Sequence, residues 1–413
     1  MKLDIEFYPK CIVCGETYNP NEVVYVCRKC GGLLDIVYDY EVLSEEIRSK
    51  WLRRTLSVWR YRELLPIKKD ELIVSMGEGG TRLHECRRLK EYFGLRYLHI
   101  KNEGENPTGS FKDRGMTVGV TKALELGMNA VACASTGNTS ASLAAYSAKA
   151  GLKCFVMVPK GKIAMGKLAQ AIIYGANIIA IKGGFDDALK VVREICSKMR
   201  IYLLNSLNPY RLEGQKTIAM EIYDQLNAVP DTIIVPVGNA GNISAIWKGF
   251  KELEKLGIIS EKPRMIGIQA EGASPIVNAI KNGKEKITPI GKPETIATAI
   301  RIGNPVNWMK ALKAIRESNG IAEKVSDKEI MEAQNLLAKK EGIFVEPASA
   351  TTIAGLKKLL DLGVIDKDEK IVCITTGNGL KDIETAIKFQ KVGISEAEAN
   401  AEKVKEIILR KLS

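Results

Sequence analysis

No stretch of this 413-residue sequence approaches the ~20 consecutive apolar residues that span a bilayer, so no membrane-spanning helix is expected. The charged N-terminal stretch lacks the apolar core of a signal peptide, and the expected location is cytoplasmic. No internal repeat and no low-complexity segment is found. Basic residues outnumber acidic ones, 61 to 49, for a formal charge of +12, which would suit nucleic acid or small anionic substrates. The chain nevertheless has no aromatic RNA-binding signature and no recognition-helix pattern. Its basic runs, such as "IRSKWLRR" (47–54), mix with apolar residues at helical spacing and read as solvated helix faces. Neither a nucleic-acid partner nor a membrane partner is expected. What is present is a 46% hydrophobic composition over a length that suits two or three domains with a sizeable core.

Four of the nine cysteines fall in a doubled C-x2-C-G pattern, Cys11, Cys14, Cys27 and Cys30. Paired thiolates two residues apart can hold one tetrahedral ion from two knuckles, and Gly15 and Gly31 permit the tight turns. A structural Zn²⁺ is expected, with rubredoxin-like iron as the alternative left by the twelve-residue gap. Paired disulfides are disfavoured by the cytoplasmic assignment. The other cysteines sit mostly in apolar runs and read as core packing.

Beyond the ribbon (1–40) and a helical linker (41–65), strand-like apolar runs alternate with helical patterns. "YLHIKNE" (97–103), "AVACAS" (130–135), "CFVMVP" (154–159), "IIAIKG" (178–183), "YLLNS" (202–206), "TIIVPVG" (232–238), "MIGIQAE" (265–271) and "IVCITTG" (371–377) are the strands. This is the grammar of an α/β protein with doubly wound parallel sheets, in which ligands sit where strands end and helices begin. "SDKE" (326–329) opens a late helix with a capping box, and 395–413 reads as an amphipathic helix.

Three strand-to-helix loops, "STGNTSAS" (135–142), "PVGNAGNISA" (236–245) and "TTGNGLKD" (375–382), share Gly-Asn with small or hydroxyl neighbours. Such loops offer backbone N–H groups and a helix N-terminus to an anion. None has the spacing of a dinucleotide fingerprint or a P-loop, so another phosphate-bearing ligand is wanted. A fourth loop, "NPTGSFKDRG" (106–115), sets Lys112 in the first turn of a helix, where the positive end of the helix dipole disfavours an ammonium. A lysine amine with a lowered pKa together with a glycine and asparagine phosphate cup suits pyridoxal 5′-phosphate.

The motifs "NPTGSFKDR", "STGNTS", "NSLNPYRLEGQKT" (205–217), "GNAGN" (238–242) and "TTGNG" resemble those of the threonine synthases of the tryptophan synthase β-like (fold type II) family, over residues 70–390. The resemblance implies two doubly wound domains: a large one from 41–110 and 206–413, and a smaller one from 111–205. It implies that Lys112 carries the cofactor as a Schiff base, that Gly238, Asn239, Ala240, Gly241 and Asn242 cradle its phosphate, that Asn138 bonds the ring hydroxyl, and that Thr376 faces the ring nitrogen. By the same resemblance Ser135 and Thr136 meet the substrate α-carboxylate, while Thr139, Asn205, Ser206 and Arg211 receive the phosphate of O-phospho-L-homoserine. The implied reaction turns that substrate and water into L-threonine and phosphate by γ-elimination and β-addition, in a homodimer. Alternatives on the same scaffold are a cysteate synthase-like enzyme acting on O-phosphoserine and, less well matched, a threonine dehydratase. From another class, a sensing or nucleic-acid-binding protein would use the ribbon as its working part.

Overall fold

The computed structural model describes residues 6–41, 47–160, 165–389 and 394–412. Among them the strands are β1 (Phe7–Cys11), β2 (Leu34–Tyr38), β3 (Leu83–Glu85), β4 (Tyr97–Asn102), β5 (Ala130–Ala134), β6 (Lys153–Pro159), β7 (Asn177–Ile181), β8 (Ile201–Leu203), β9 (Thr232–Pro236), β10 (Arg264–Ala270), β11 (Ile321–Val325) and β12 (Lys370–Thr375). β1 and β2 pair antiparallel as the ribbon. A four-stranded parallel sheet has the order β7-β6-β5-β8, and a six-stranded sheet has the order β11-β10-β9-β12-β4-β3, parallel apart from β3.

Apolar runs become central strands here because both faces of each sheet are covered. Side chains alternate across a strand. Thus Ile233, Val235, Val372 and Ile374 enter one core cluster, whereas Ile234, Ile371 and Cys373 enter another on the opposite face. β5 divides likewise, with Val131 and Cys133 on one side and Ala132 and Ala134 on the other. The parallel order leaves the C-terminal ends of β4, β5, β8, β9 and β12 feeding the loops at 103–111, 135–137, 204–208, 237–240 and 376–378.

Two helices are brought closer than side chains normally allow. A Cβ on Gly214 would stand 1.7 Å from the Arg114 carbonyl oxygen, and one on Gly115 would stand 2.7 Å from the Arg211 carbonyl oxygen. The helices Lys112–Glu125 and Pro209–Gln215 therefore touch backbone to backbone, and this contact sets Lys112 near Arg211. A buried ionic cluster fixes the first of them. Arg114 donates to Glu103 and Glu221 at 2.6–2.7 Å, and Lys101 on β4 donates to Glu221 at 2.7 Å, all without solvent exposure. Such a cluster specifies geometry more than it adds net stability, because desolvation offsets most of the attraction.

Several expectations are revised. The linker expected to be helical over 41–65 is a short helix, Ile47–Leu52, and a 3₁₀ segment, Val58–Leu64, with 42–46 outside the described residues. Ser57 is extended between them because Val58 donates its N–H to the Glu78 carbonyl while the 77–80 loop packs on this stretch. The C-terminal helix covers Ala401–Leu412 and buries no residue, so its apolar side has no partner among the described residues. The strands β3 and β11 were not legible as apolar runs, being three residues long and "IAEKV" respectively. The capping box at Ser326 and Glu329 is formed.

Candidate active site

The helix that starts at Lys112 follows β4 after the 103–111 loop, which opens with a 3₁₀ turn, Glu103–Glu105. Phe111 N–H donates to the Thr376 carbonyl at 3.0 Å, which ties this loop to the end of β12. Asp113 anchors it from beneath, accepting from Thr108 N–H at 2.7 Å, Thr108 Oγ1 at 2.6 Å and Ser142 Oγ at 2.5 Å. Burial pushes the Asp113 carboxyl up to about 6. At Lys112 the loss of solvent, followed by the nearby Arg211 cation, lowers the amine to about 7, with Glu346 opposing. A lysine so placed is largely a neutral amine at slightly alkaline pH.

Arg211 is 1% exposed, and its Nε and Nη2 find no hydrogen-bond partner among the described residues. Burial lowers its pKa to about 10. A guanidinium enclosed in this way leaves a fork of donors that an oxyanion would satisfy. Ser206 is half-buried at the start of the same segment. Asn205 is different: its Oδ1 accepts from Ala134 N–H at 2.9 Å and its Nδ2 donates to the Ala134 carbonyl at 3.0 Å. Asn205 thus clasps the end of β5 before the 135–137 loop, with the second Nδ2 hydrogen left over.

The 238–242 loop has the shape of a cradle. A Cβ on Gly238 would stand 3.0 Å from Ile300 Cα, and one on Gly241 would stand 3.1 Å from Leu212 Cδ2. Ala240 holds a left-handed conformation, φ 64° and ψ 6°, and directly precedes the helix Gly241–Lys255. That turn directs backbone N–H groups and a helix N-terminus into one concavity. Asn242 is 6% exposed and neither side-chain amide atom has a partner among the described residues, nor does the buried Ser110 Oγ. Asn239 is committed elsewhere, since its Oδ1 accepts from Val306 N–H at 3.3 Å. The orphaned polar atoms and the left-handed turn that opens the helix at Gly241 fit a phosphate-bearing cofactor that the loops would enclose.

Opposite the cradle, Asn138 opens the helix Asn138–Ala150, and its Nδ2 donates to both carboxylate oxygens of Glu346 at 3.0 Å. Burial raises the Glu346 pKa. Gly377 lies against it, and a Cβ there would stand 2.5 Å from Glu346 Oε1. Thr376 Oγ1 lies 2.9 Å from Ser349 Oγ, which also accepts from the N–H groups of Thr376 and Gly377 at 2.8 and 2.9 Å. Ser135 Oγ accepts from Gly137 N–H at 3.2 Å, and Thr136 and Thr139 are half-buried around the same helix start. Glu346, Ser349 and Ser110 were missed from sequence. The signal was present in "VEPASA" (345–350), where an acid directly precedes a helix-opening proline.

At the ribbon, the Sγ atoms of Cys11, Cys14, Cys27 and Cys30 lie within 4.8 Å of one another and all four thiols are free. Val13 N–H and Tyr18 O–H donate to Cys11 and Cys27 at 3.4 and 3.1 Å. Four thiolates at this separation fit one tetrahedral ion with no open position. The ribbon and the lysine site are separate features.

The lowered Lys112 pKa makes a stability prediction. Below pH 7 the amine is protonated folded and unfolded, and the full desolvation penalty opposes folding. Between about 7 and the unfolded value near 10.5 the folded state sheds its proton first, so the penalty falls as pH rises. In cofactor-free protein, Lys112→Met should therefore stabilise more at pH 7 than at pH 9.5, by on the order of 2 kcal/mol after allowance for partial solvent screening. Urea unfolding at the two pH values measures it, and equal stabilisation at both would contradict the assignment.

A profile of the pyridoxal-phosphate dependent enzymes matches residues 74–377. The threonine synthase of Methanocaldococcus jannaschii is 64% identical over 381 residues, 92% of this chain and 94% of that protein. That of Methanosarcina acetivorans is 58% identical over 406 residues, 98% of this chain and 99% of its own. Among solved structures, the processed form of threonine deaminase isoform 2 from Solanum lycopersicum is similar with a TM-score of 0.64 at 20% identity, covering 76% of this chain and 84% of that one. That likeness bears on the fold, which is the fold type II architecture. The chain belongs to the pyridoxal-phosphate-dependent enzymes and, within them, to the threonine synthases.

Proposed function

We propose that the chain converts O-phospho-L-homoserine and water to L-threonine and phosphate. The observation that carries the substrate assignment is Arg211, a fully buried cation with two unpartnered N–H edges, on the helix that packs against the one starting at Lys112. A cofactor phosphate in the 238–242 cradle leaves that fork for a second phosphate, which must come with the substrate. Pyridoxal 5′-phosphate, when bound, supplies an aldehyde for the lysine and an electron sink for the substrate carbon next to it. Lys112, Asn138, Gly238, Asn239, Ala240, Gly241, Asn242 and Thr376 would hold it, Asn239 through its backbone.

The chain's own groups then have defined tasks. Lys112, its amine pKa lowered to about 7, takes the proton from substrate Cα. Ser135, Thr136 and the N–H groups opening the helix at Asn138 hold the α-carboxylate. Arg211, Ser206 and Thr139 hold the phosphate on Cγ and stabilise its charge as it departs. Asn205 keeps the 135–137 loop in register with Arg211 by its grip on Ala134. The proposal includes a large unit of 41–110 with 206–413, a smaller unit of 111–205, a cytoplasmic location and a homodimer, all from the family resemblance.

Substrate choice is tested by phosphate release from O-phospho-L-homoserine and from O-phosphoserine. The first should be turned over and the second should not. Arg211→Lys keeps the charge but loses the planar fork, and should lower kcat/KM for phosphohomoserine by roughly thirtyfold, about 2 kcal/mol, with the cofactor absorbance intact. A variant that loses the cofactor and keeps its affinity for phosphate would assign Arg211 to the cofactor instead.

A structural Zn²⁺ in the ribbon is part of the same proposal. Metal analysis should return about one Zn²⁺ per chain, and Cys14→Ser should lower stability while the folded fraction keeps its cofactor. Full stability without metal would contradict it.

A further inference from the structure

The ribbon grips the segment that carries Arg211 at three places. Leu203 N–H donates to the Tyr25 hydroxyl at 2.7 Å. Leu203 ends β8, which is the edge strand of its sheet and has a neighbour on one side only, so the ribbon supplies the acceptor that a further strand would otherwise offer. The Tyr210 hydroxyl donates to the Pro20 carbonyl at 3.2 Å. The Tyr38 hydroxyl donates to Glu213 Oε2 at 2.7 Å, with neither side chain reaching solvent appreciably. Glu213 also accepts from Lys216 and Lys248, and Lys248 Nζ donates onward to the Ile36 carbonyl on β2.

Helical spacing explains how these contacts bear on the site. Tyr210 and Glu213 are three residues apart and share the face turned to the ribbon. Arg211 and Gln215 are four apart and share the face that meets Gly115 on the Lys112 helix. The helix is thus clamped, ribbon on one side and lysine helix on the other. It is seven residues long, too short to hold itself. Nor does a carboxylate hold the Arg211 guanidinium, whose Nε and Nη2 have no partner among the described residues. Its position follows from the backbone that carries it, and a bidentate contact tolerates only about 0.5 Å of misplacement.

We infer that the four-cysteine ribbon is a positioning element of the substrate-phosphate site, acting through Tyr25 and Tyr38 on the segment that carries Arg211. This rests on the reading of Arg211 as the receiver of substrate phosphate. Neither tyrosine touches the reacting atoms. Their role is to fix where the guanidinium stands.

The test uses the holoenzyme with Tyr25→Phe and, separately, Tyr38→Phe, which keep the rings and remove one hydrogen bond each. KM for phosphohomoserine and the inhibition constant for inorganic phosphate should rise together by roughly 2- to 10-fold, as loss of one buried hydrogen bond implies. The cofactor absorbance should stay the same. A lower melting temperature with both constants unchanged would mean that the ribbon is only a structural appendage, and would overturn the inference. In an Arg211→Lys background, Tyr25→Phe should add nothing further, and a full additional loss would also overturn it. Arg211→Lys alone separates the two levels. If it leaves phosphate inhibition untouched, the underlying reading fails. If it weakens inhibition while both tyrosine variants behave as the parent, only the positioning role fails. Should Tyr25→Phe not fold, Tyr38→Phe carries the measurement.

Discussion

A buried guanidinium without a carboxylate of its own is the constraint around which this molecule is arranged. Two arginines stand on the paired helices, both fully enclosed. Arg114 is saturated by Glu103, Glu221, Thr81 and Thr217. Arg211 has two N–H edges with no partner among the described residues. Burying an unpaired charge costs several kcal/mol, so a fold that keeps one does so for a ligand that will neutralise it. Their bonding alone separates them: the first is a scaffold group, and the second is the one the proposed function gives to substrate phosphate.

The same contrast sorts the lysines. Lys101, Lys122 and Lys216 are buried, and each is paired with a glutamate at 2.6–2.7 Å. Lys112 makes no ion pair among the described residues, and burial with the Arg211 field keeps its amine near neutrality. Glu346 opposes that field and is itself held by Asn138, so the charge at the site depends on a small set of groups at the ends of parallel strands. Catalytic power in such a site comes from fixed charges in a dry space rather than from mobile ones.

Much of this was legible in the sequence. Lys112, the Gly-Asn loops and the cysteine quartet stand out because each depends on local chemistry: a helix start, a turn that needs glycine, a knuckle. The apolar runs marked the central strands for the same reason, since full burial leaves no polar face. Asn205 has a structural task that the sequence does not show, because only the register of β5 against β8 reveals its amide closed on Ala134. Glu346 and Ser349 were invisible for a related reason: they lie more than 200 residues from Asn138 and Lys112, and the fold alone joins them. The docking of the ribbon on residues 203–213 was equally hidden, because tyrosine hydroxyls carry no sequence signal for the acceptor or donor they will meet.

The central claim is that Lys112 is the amine this fold reserves for the cofactor. Borohydride reduction of the holoenzyme followed by peptide mapping tests it most directly. The account predicts a stable phosphopyridoxyl mark on the peptide containing Lys112 and none in Lys112→Ala. A mark on Lys101, Lys216 or any other lysine would contradict it.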